Sequence, residues 1–337
     1  MKMDGAWLTT NRECNLRCPW CYAKGTRYPA KQEMSFGLAK LLSGIIKGLE
    51  LKHLILIGGE PTLWKPLFEY NDFCRQEGMS STIVTNGLKF AEDEFFAQYQ
   101  KNPCKFLSIS VKGVPEQYQK FGLRTDVSRV KKALSRIAEN YNEVVCLTFN
   151  SLYRENLPKI AKFVAECGFK TLAISFCTPS FKGLVISGKF ITHPHETAKI
   201  IANSYQEMRK YLEIHFNMNF PLCVWPEDFL KRIREEQLIN TGCHVKIGGG
   251  AIFDINGDSV MCNGLFDYPI AVYGKDFWDA DSYLKFRQKE EVKALYDRII
   301  NFPSEKCRDC DMYIDCGGGC PLLWFFYKPN DIIENRR

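Results

Sequence analysis

Apolar residues occur first in short blocks and then at helical spacing, and the two patterns alternate through the first half of the chain. Blocks at 7–10, 53–57, 81–85, 106–111, 144–149 and 171–176 predict six strands. Several are apolar almost without a break, the pattern of strands covered on both faces. Between them lie amphipathic stretches. Over 157–167, Leu157, Ile160, Ala161, Val164 and Cys167 share one helical face. Asn156 can cap the start, Pro158 suits the first turn and Gly168 can end the helix. A similar stretch covers 66–78, and 193–214 reads as a sixth helix. Six successive βα units imply a parallel sheet with right-handed crossovers. Six strands are too few to close an eight-stranded barrel. The expected fold is therefore α/β, a partial (β/α)6 TIM-like barrel.

Folds of that kind carry their chemistry at the C-terminal ends of the strands. The polar and glycine residues fall there. Cys14 follows the first strand, Gly58-Gly59-Glu60-Pro61 the second and Asn86-Gly87 the third. Ser110 and Lys112 end the fourth, Asn150 ends the fifth, and Thr178-Pro179 follow the sixth.

A Pro/aromatic stretch at 221–226 breaks the pattern, and from about Thr241 the chain turns rich in Gly and Cys. The expected division is a first domain over 1–215, a linker over 216–239 and a Cys-rich domain over 240–337. Apolar content of 45% and charged content of 25% fit a soluble globular protein. No apolar run is long enough to span a bilayer, and no export signal opens the sequence, so a cytoplasmic protein without membrane attachment is expected. The net charge of +6 reads as solvated surface, and no basic block interleaved with aromatics suggests nucleic acid.

Fifteen cysteines are many for a chain expected in a reducing compartment, where metal explains clustered thiols better than disulfides do. Cys74, Cys104, Cys146, Cys167, Cys177 and Cys223 stand apart and read as small, mostly core residues. The other nine form two groups. The first, Cys14-x3-Cys18-x2-Cys21, places three thiols in one short loop. Three thiolates can hold three irons of a cubane cluster and leave the fourth iron without a protein ligand. The alternatives are incidental cysteines or a zinc knuckle, and zinc favours paired spacing with four ligands.

This motif resembles that of the radical S-adenosylmethionine (SAM) superfamily, including Trp20 before the last cysteine. The resemblance implies a [4Fe–4S] cluster on Cys14, Cys18 and Cys21 whose open iron binds SAM. Reductive cleavage of SAM then gives a 5′-deoxyadenosyl radical that abstracts hydrogen from substrate. It also implies SAM contacts from Gly58, Gly59, Glu60, Pro61, Asn86, Ser110 and Arg124, with Glu60 accepting from the methionine ammonium. Lys112 stands where relatives often carry an acid.

The second group reads Cys243, Gly257, Cys262, then Cys307-x2-Cys310-x5-Cys316-x3-Cys320. It resembles the SPASM domain of peptide-modifying radical SAM enzymes, which carries auxiliary [4Fe–4S] clusters. The resemblance implies one set from Cys243, Cys262 and Cys320 and another from Cys307, Cys310 and Cys316. A structural zinc site on the last four cysteines is the plainer alternative. The family pattern has a further cysteine downstream, and this sequence has none after Cys320. Each set therefore holds three thiols. Cys223, His244 or Asp331 could complete one, an iron could stay open to substrate, or one of the two clusters could be absent.

The resemblance implies oxidative modification or cross-linking of a ribosomally made peptide, through a thioether, a carbon–carbon or a carbon–oxygen bond. Flavodoxin or ferredoxin would supply electrons. The first strand comes almost at once, so a separate leader-binding protein or another surface is expected to act if a leader is recognised. No catalytic base is assigned. The alternatives are a sulfatase-maturase-like or small-molecule radical SAM oxidoreductase, and a non-catalytic iron–sulfur or zinc protein. The first is weakened by Asn263, which follows Cys262 where an aspartate base is expected.

Overall fold

The computed structural model describes residues 3–23, 28–120, 126–141, 143–182, 185–217, 219–300 and 303–334. The first half of the chain alternates β1 (Gly5–Thr9), α1 (Phe36–Gly48), β2 (His53–Ile57), α2 (Leu67–Gln76), β3 (Ser80–Thr85), α3 (Asp93–Lys101) and β4 (Phe106–Val111). It continues with α4 (Pro115–Lys120), α5 (Val127–Asn140), β5 (Val145–Phe149), α6 (Leu157–Glu166) and β6 (Thr171–Phe176). These six strands lie side by side in sequence order, each pair parallel. The expected βα series is thus present, with strand limits within two residues of those read from the sequence. A small antiparallel hairpin, β7 (Ser180–Lys182) and β8 (Val185–Ser187), follows.

The helix expected over 193–214 is shorter. It runs as α7 (Pro194–Arg209), and β9 (Glu213–Asn217) then pairs parallel with β6. The reason is a change of period. Leu212, Ile214 and Phe216 are buried while Glu213, His215 and Asn217 alternate with them, and only a strand buries every second residue. Each of those three side chains contributes about 1.5–3 kcal/mol when buried.

The stretch expected as a linker, 216–239, is built into the fold. It holds the end of β9, a helix α8 (Glu227–Glu235) and the start of β10 (Ile239–Asn240), which pairs parallel with β9. The Cys-rich region adds α9 (His244–Ile247), β11 (Gly250–Phe253), β12 (Ser259–Val260), β13 (Pro269–Ala271), α10 (Ala280–Arg287), α11 (Glu290–Ile300) and α12 (Tyr313–Cys316). Strand β11 pairs parallel with β1, from Gly5 opposite Gly250 to Leu8 opposite Phe253. One open sheet of eleven strands results, and β1 lies inside it.

Helix α6 buries the apolar face expected of it, and Gly168 ends it with φ at +100°. Asn156 occupies the cap position, but its side chain makes no cap hydrogen bond, so Pro158 in the first turn sets the start. Among the scattered cysteines, Cys74 and Cys167 are core residues, while Cys104, Cys146, Cys177 and Cys223 are half-buried.

Candidate active site and cysteine centres

The loop after β1 is strapped to the loop after β2. Gly59 N–H donates to the Asn11 carbonyl and Glu60 N–H to the Glu13 carbonyl, both at 2.7 Å. Asn11 Nδ2 returns a bond to the Glu60 carbonyl at 2.9 Å. The two glycines are required by this contact. A β-carbon on Gly58 would sit 2.5 Å from the Asn11 carbonyl oxygen, and one on Gly59 would fall among the carbonyls of Arg12 and Glu13. The close neighbour that needs glycine here is thus the backbone leading into the cysteines.

Cys14, Cys18 and Cys21 lie within electrostatic reach of one another. They share a cavity of about 340 Å³ lined also by Arg12, Gly59 and Tyr28. The Leu16 N–H points at Cys14 Sγ, 3.4 Å away. Burial, reinforced by the Glu60 carboxylate, pushes the Cys14 thiol up to about 12. Burial also raises Cys18, opposed by the Lys112 ammonium. Thiols so raised stay protonated until a cation replaces their protons. The three thiols of Cys14, Cys18 and Cys21 in one cavity fit a cluster with one iron lacking a protein ligand. Among the described residues no three His, Cys, Asp or Glu side chains form a group that could hold a metal ion by itself.

Glu60 is 1% exposed and acts as an internal staple. One carboxylate oxygen accepts from Thr62 N–H (3.1 Å), Thr62 Oγ1 (2.7 Å) and Thr85 Oγ1 (2.6 Å), and the other accepts from Asn86 N–H (2.8 Å). These bonds fix the β2 and β3 loops to each other. Glu60→Gln sets an amide nitrogen against one of these donors. We expect a loss of about 2–3 kcal/mol in anaerobic urea unfolding. A change below about 0.5 kcal/mol would show that the carboxylate does not hold the loops.

Asn86 extends the lock to the cysteines. Its Nδ2 donates to Asn15 Oδ1 at 2.8 Å and lies 3.9 Å from Cys14 Sγ, and its Oδ1 accepts from Leu88 N–H. Gly87 takes φ of +79°, a left-handed turn that suits glycine. Pro61 is buried at the first position of a short 3-10 turn. Trp20 packs edge-on against Tyr153, with ring centroids 5.5 Å apart. The Ser110 hydroxyl accepts from the Lys112 ammonium, so the residue standing in the usual acid's place neighbours both Ser110 and Cys18. Arg124 lies outside the described residues. The sequence reading missed the Tyr28 hydroxyl bond to buried Asp254, which ties the first cysteine loop to the turn after β11.

The second cysteine group divides around α12. Cys243, Cys262, Cys316 and Cys320 line a cavity of about 250 Å³ with Trp7 and His244. Burial pushes Cys320 up to about 12 and Cys262 up to about 11, and each feels Cys243. The Gly264 N–H donates to Cys262 Sγ at 3.2 Å. Cys307 feels Cys223, Cys316 and Cys310. Gly317, Gly318 and Gly319 all take positive φ, so the chain turns back between Cys316 and Cys320. Lys246 lies among Cys243, Cys307, Cys316 and Cys320 and donates to the Gly317 carbonyl; burial lowers its pKa and the thiols oppose that. His244 is held by Asp4, Nδ1 to carboxylate at 2.9 Å, and packs on Trp7.

Residues 8–167 match the radical SAM superfamily. Over 162 residues the chain is 27% identical to the Fe-coproporphyrin III synthase of Methanosarcina barkeri, covering 48% of this chain and 40% of that protein. The chain thus spans less than half the length of that relative. It is 23% identical to the PqqA peptide cyclase of Methylorubrum extorquens, over 94% of this chain and 79% of the relative. Among solved structures, Streptococcus suis SuiB bound to its precursor peptide SuiA shares the fold. The TM-score is 0.65 at 15% identity, covering 98% of this chain and 74% of SuiB.

Proposed function

We propose that this chain, which carries a radical SAM domain over residues 8–167, removes hydrogen from a peptide and leaves an oxidised or cross-linked product. Cys14, Cys18 and Cys21 hold a [4Fe–4S] cluster, and SAM binds at the iron they do not ligate. The cluster, when bound, supplies the electron that cleaves SAM and the position at which SAM is held. The chain's own residues do the positioning. Glu60 and Asn86 fix three strand-end loops around that position, and Lys112 places a cation beside Cys18 and Ser110.

The observation that carries this reading is the lock between the cysteine loop and the Gly-Gly-Glu loop. It puts three thiols, Cys18 buried and Cys14 and Cys21 half-buried, and a glycine strap at the C-terminal end of adjacent parallel strands. Peptide as the substrate class is supported by similarity to a peptide cyclase along 94% of the chain and by the shared fold with a peptide-bound enzyme. Among the described residues no helix is long and apolar enough to cross a membrane. We place the enzyme in the cytoplasm, with flavodoxin or ferredoxin as electron donor.

Residues 240–337 act as a SPASM-like domain with auxiliary [4Fe–4S] centres at the two thiol sets. The test is anaerobic reconstitution with iron and sulfide, then dithionite and SAM. A brown protein that forms 5′-deoxyadenosine, and a mass loss of one hydrogen pair on a short peptide encoded beside the gene, are expected. A colourless protein without SAM turnover overturns the reading. Cys310→Ala separates the two regions. It should keep uncoupled SAM cleavage within about twofold of wild type, as distant sites act independently, while peptide conversion stops. Equal loss of both would assign the C-terminal centres a purely structural role.

A further inference from the structure

The set of Cys307, Cys310 and Cys316 is one thiol short of the four that a cubane cluster takes. The segment between β9 and α8 closes on it. Leu222 N–H donates to Cys316 Sγ at 3.2 Å. On the same segment, the Asn219 carbonyl accepts from Cys320 N–H at 2.7 Å. A β-carbon on Gly319 would lie 2.8 Å from the Pro221 nitrogen. Residues 219–222 therefore run directly along 316–320, and Cys223 follows the residue whose amide bonds the Cys316 sulfur. The Cys223 thiol also acts on Cys307, more strongly than Cys316 or Cys310 does.

We propose that Cys223 is the fourth thiolate of the centre held by Cys307, Cys310 and Cys316. The proposal rests on the reading of auxiliary clusters given above. On assembly Cys223 releases its thiol proton to solvent and donates an electron pair to the fourth iron, with no change in cluster oxidation state. The other two candidates are placed less well. His244 is tied to Asp4 and borders the cavity of Cys243, Cys262 and Cys320, which Cys316 also lines but Cys307 and Cys310 do not. Asp331 lines the cavity that Cys223 also borders and acts on His193. With four thiolates the centre is closed, and none of its irons is left for a substrate.

The experiment compares full-length, anaerobically reconstituted wild type, Cys223→Ala, Cys223→Ser and Cys104→Ala by iron and sulfide content, EPR and cysteine alkylation. Wild type should carry about twelve irons. Cys223→Ala should lose about four irons, or show a three-iron EPR signal in their place. Cys104→Ala should match wild type. Cys223→Ser should keep the iron but shift the potential of one cluster, since oxygen is a harder ligand than sulfur. In intact wild type, Cys223 should resist alkylation until a chelator strips the iron, and then react together with Cys307, Cys310 and Cys316. That measurement decides the matter even if the alanine variant does not fold. Wild-type iron, sulfide and EPR in Cys223→Ala, or ready alkylation of Cys223 in the holoprotein, overturns the assignment. A wild type with only about four irons overturns the auxiliary centres themselves and is distinguished by that count.

Discussion

Cys18→Ala is expected to abolish 5′-deoxyadenosine formation. Cys18 is 9% exposed at the tip of the loop after β1, in the cavity it shares with Cys14 and Cys21. Two thiols cannot hold a cluster that three hold with one iron to spare. The loss should exceed the ~10–100-fold that changes outside the ligand sphere cost. Iron content should fall by about four per chain while the C-terminal centres keep their colour. Anaerobic incubation with dithionite and SAM, read by chromatography, checks the first point, and iron analysis checks the second. Near-normal deoxyadenosine from this variant would remove the N-terminal loop from the chemistry.

Gly59→Ala should be nearly as damaging, although it touches no ligand. The new methyl group would lie 2.5 Å from the Arg12 carbonyl oxygen and closer still to that of Glu13, and backbone cannot swing aside as a side chain can. Relief requires the strap to lift. That breaks the Gly59 and Glu60 amide bonds to Asn11 and Glu13 and carries Glu60 away from Thr62, Thr85 and Asn86. A displacement of about 1 Å at a reacting centre costs on the order of 100-fold, so SAM cleavage should fall at least that far. Gly44→Ala is the control. Its β-carbon would meet nothing within 4 Å, and alanine inside α1 should stabilise the helix by up to about 1 kcal/mol. Equal activity in the two variants would show that the strap does not position the cysteine loop.

The βα series was legible because several parallel strands are apolar almost without a break and their helices keep one apolar face, as 53–57 and 157–167 do. What escaped had little signal or two competing ones. Strand β9 follows α7 after three residues, and Leu212 and Ile214 fit either period until Phe216 is counted. Strand β10 has two residues, and β11 begins at a glycine beside another glycine. Cys14, Cys18 and Cys21 were grouped by spacing, and they line one cavity. The purpose of Gly58 and Gly59 was read as approach to a ligand, because a sequence does not show that 58–60 lies against 11–13. Glu60 looked like a ligand group for the same reason, since its four donors come from residues up to 26 positions away. Cys223 was one of three candidates to complete a thiol set, but it stands 84 residues before Cys307, and no local spacing favours it over His244 or Asp331.

The pairing of β1 with β11 sets an order of events during synthesis. Strand β1 leaves the ribosome first, yet its neighbour on one side is Gly250–Phe253, made some two hundred and forty residues later. Until then one row of amides and carbonyls beside the cysteine loop faces water, and Tyr28 has no Asp254 to grip. A chain cut before Gly250 would leave that flank of β1 without its partner strand, an open edge that invites pairing with another chain.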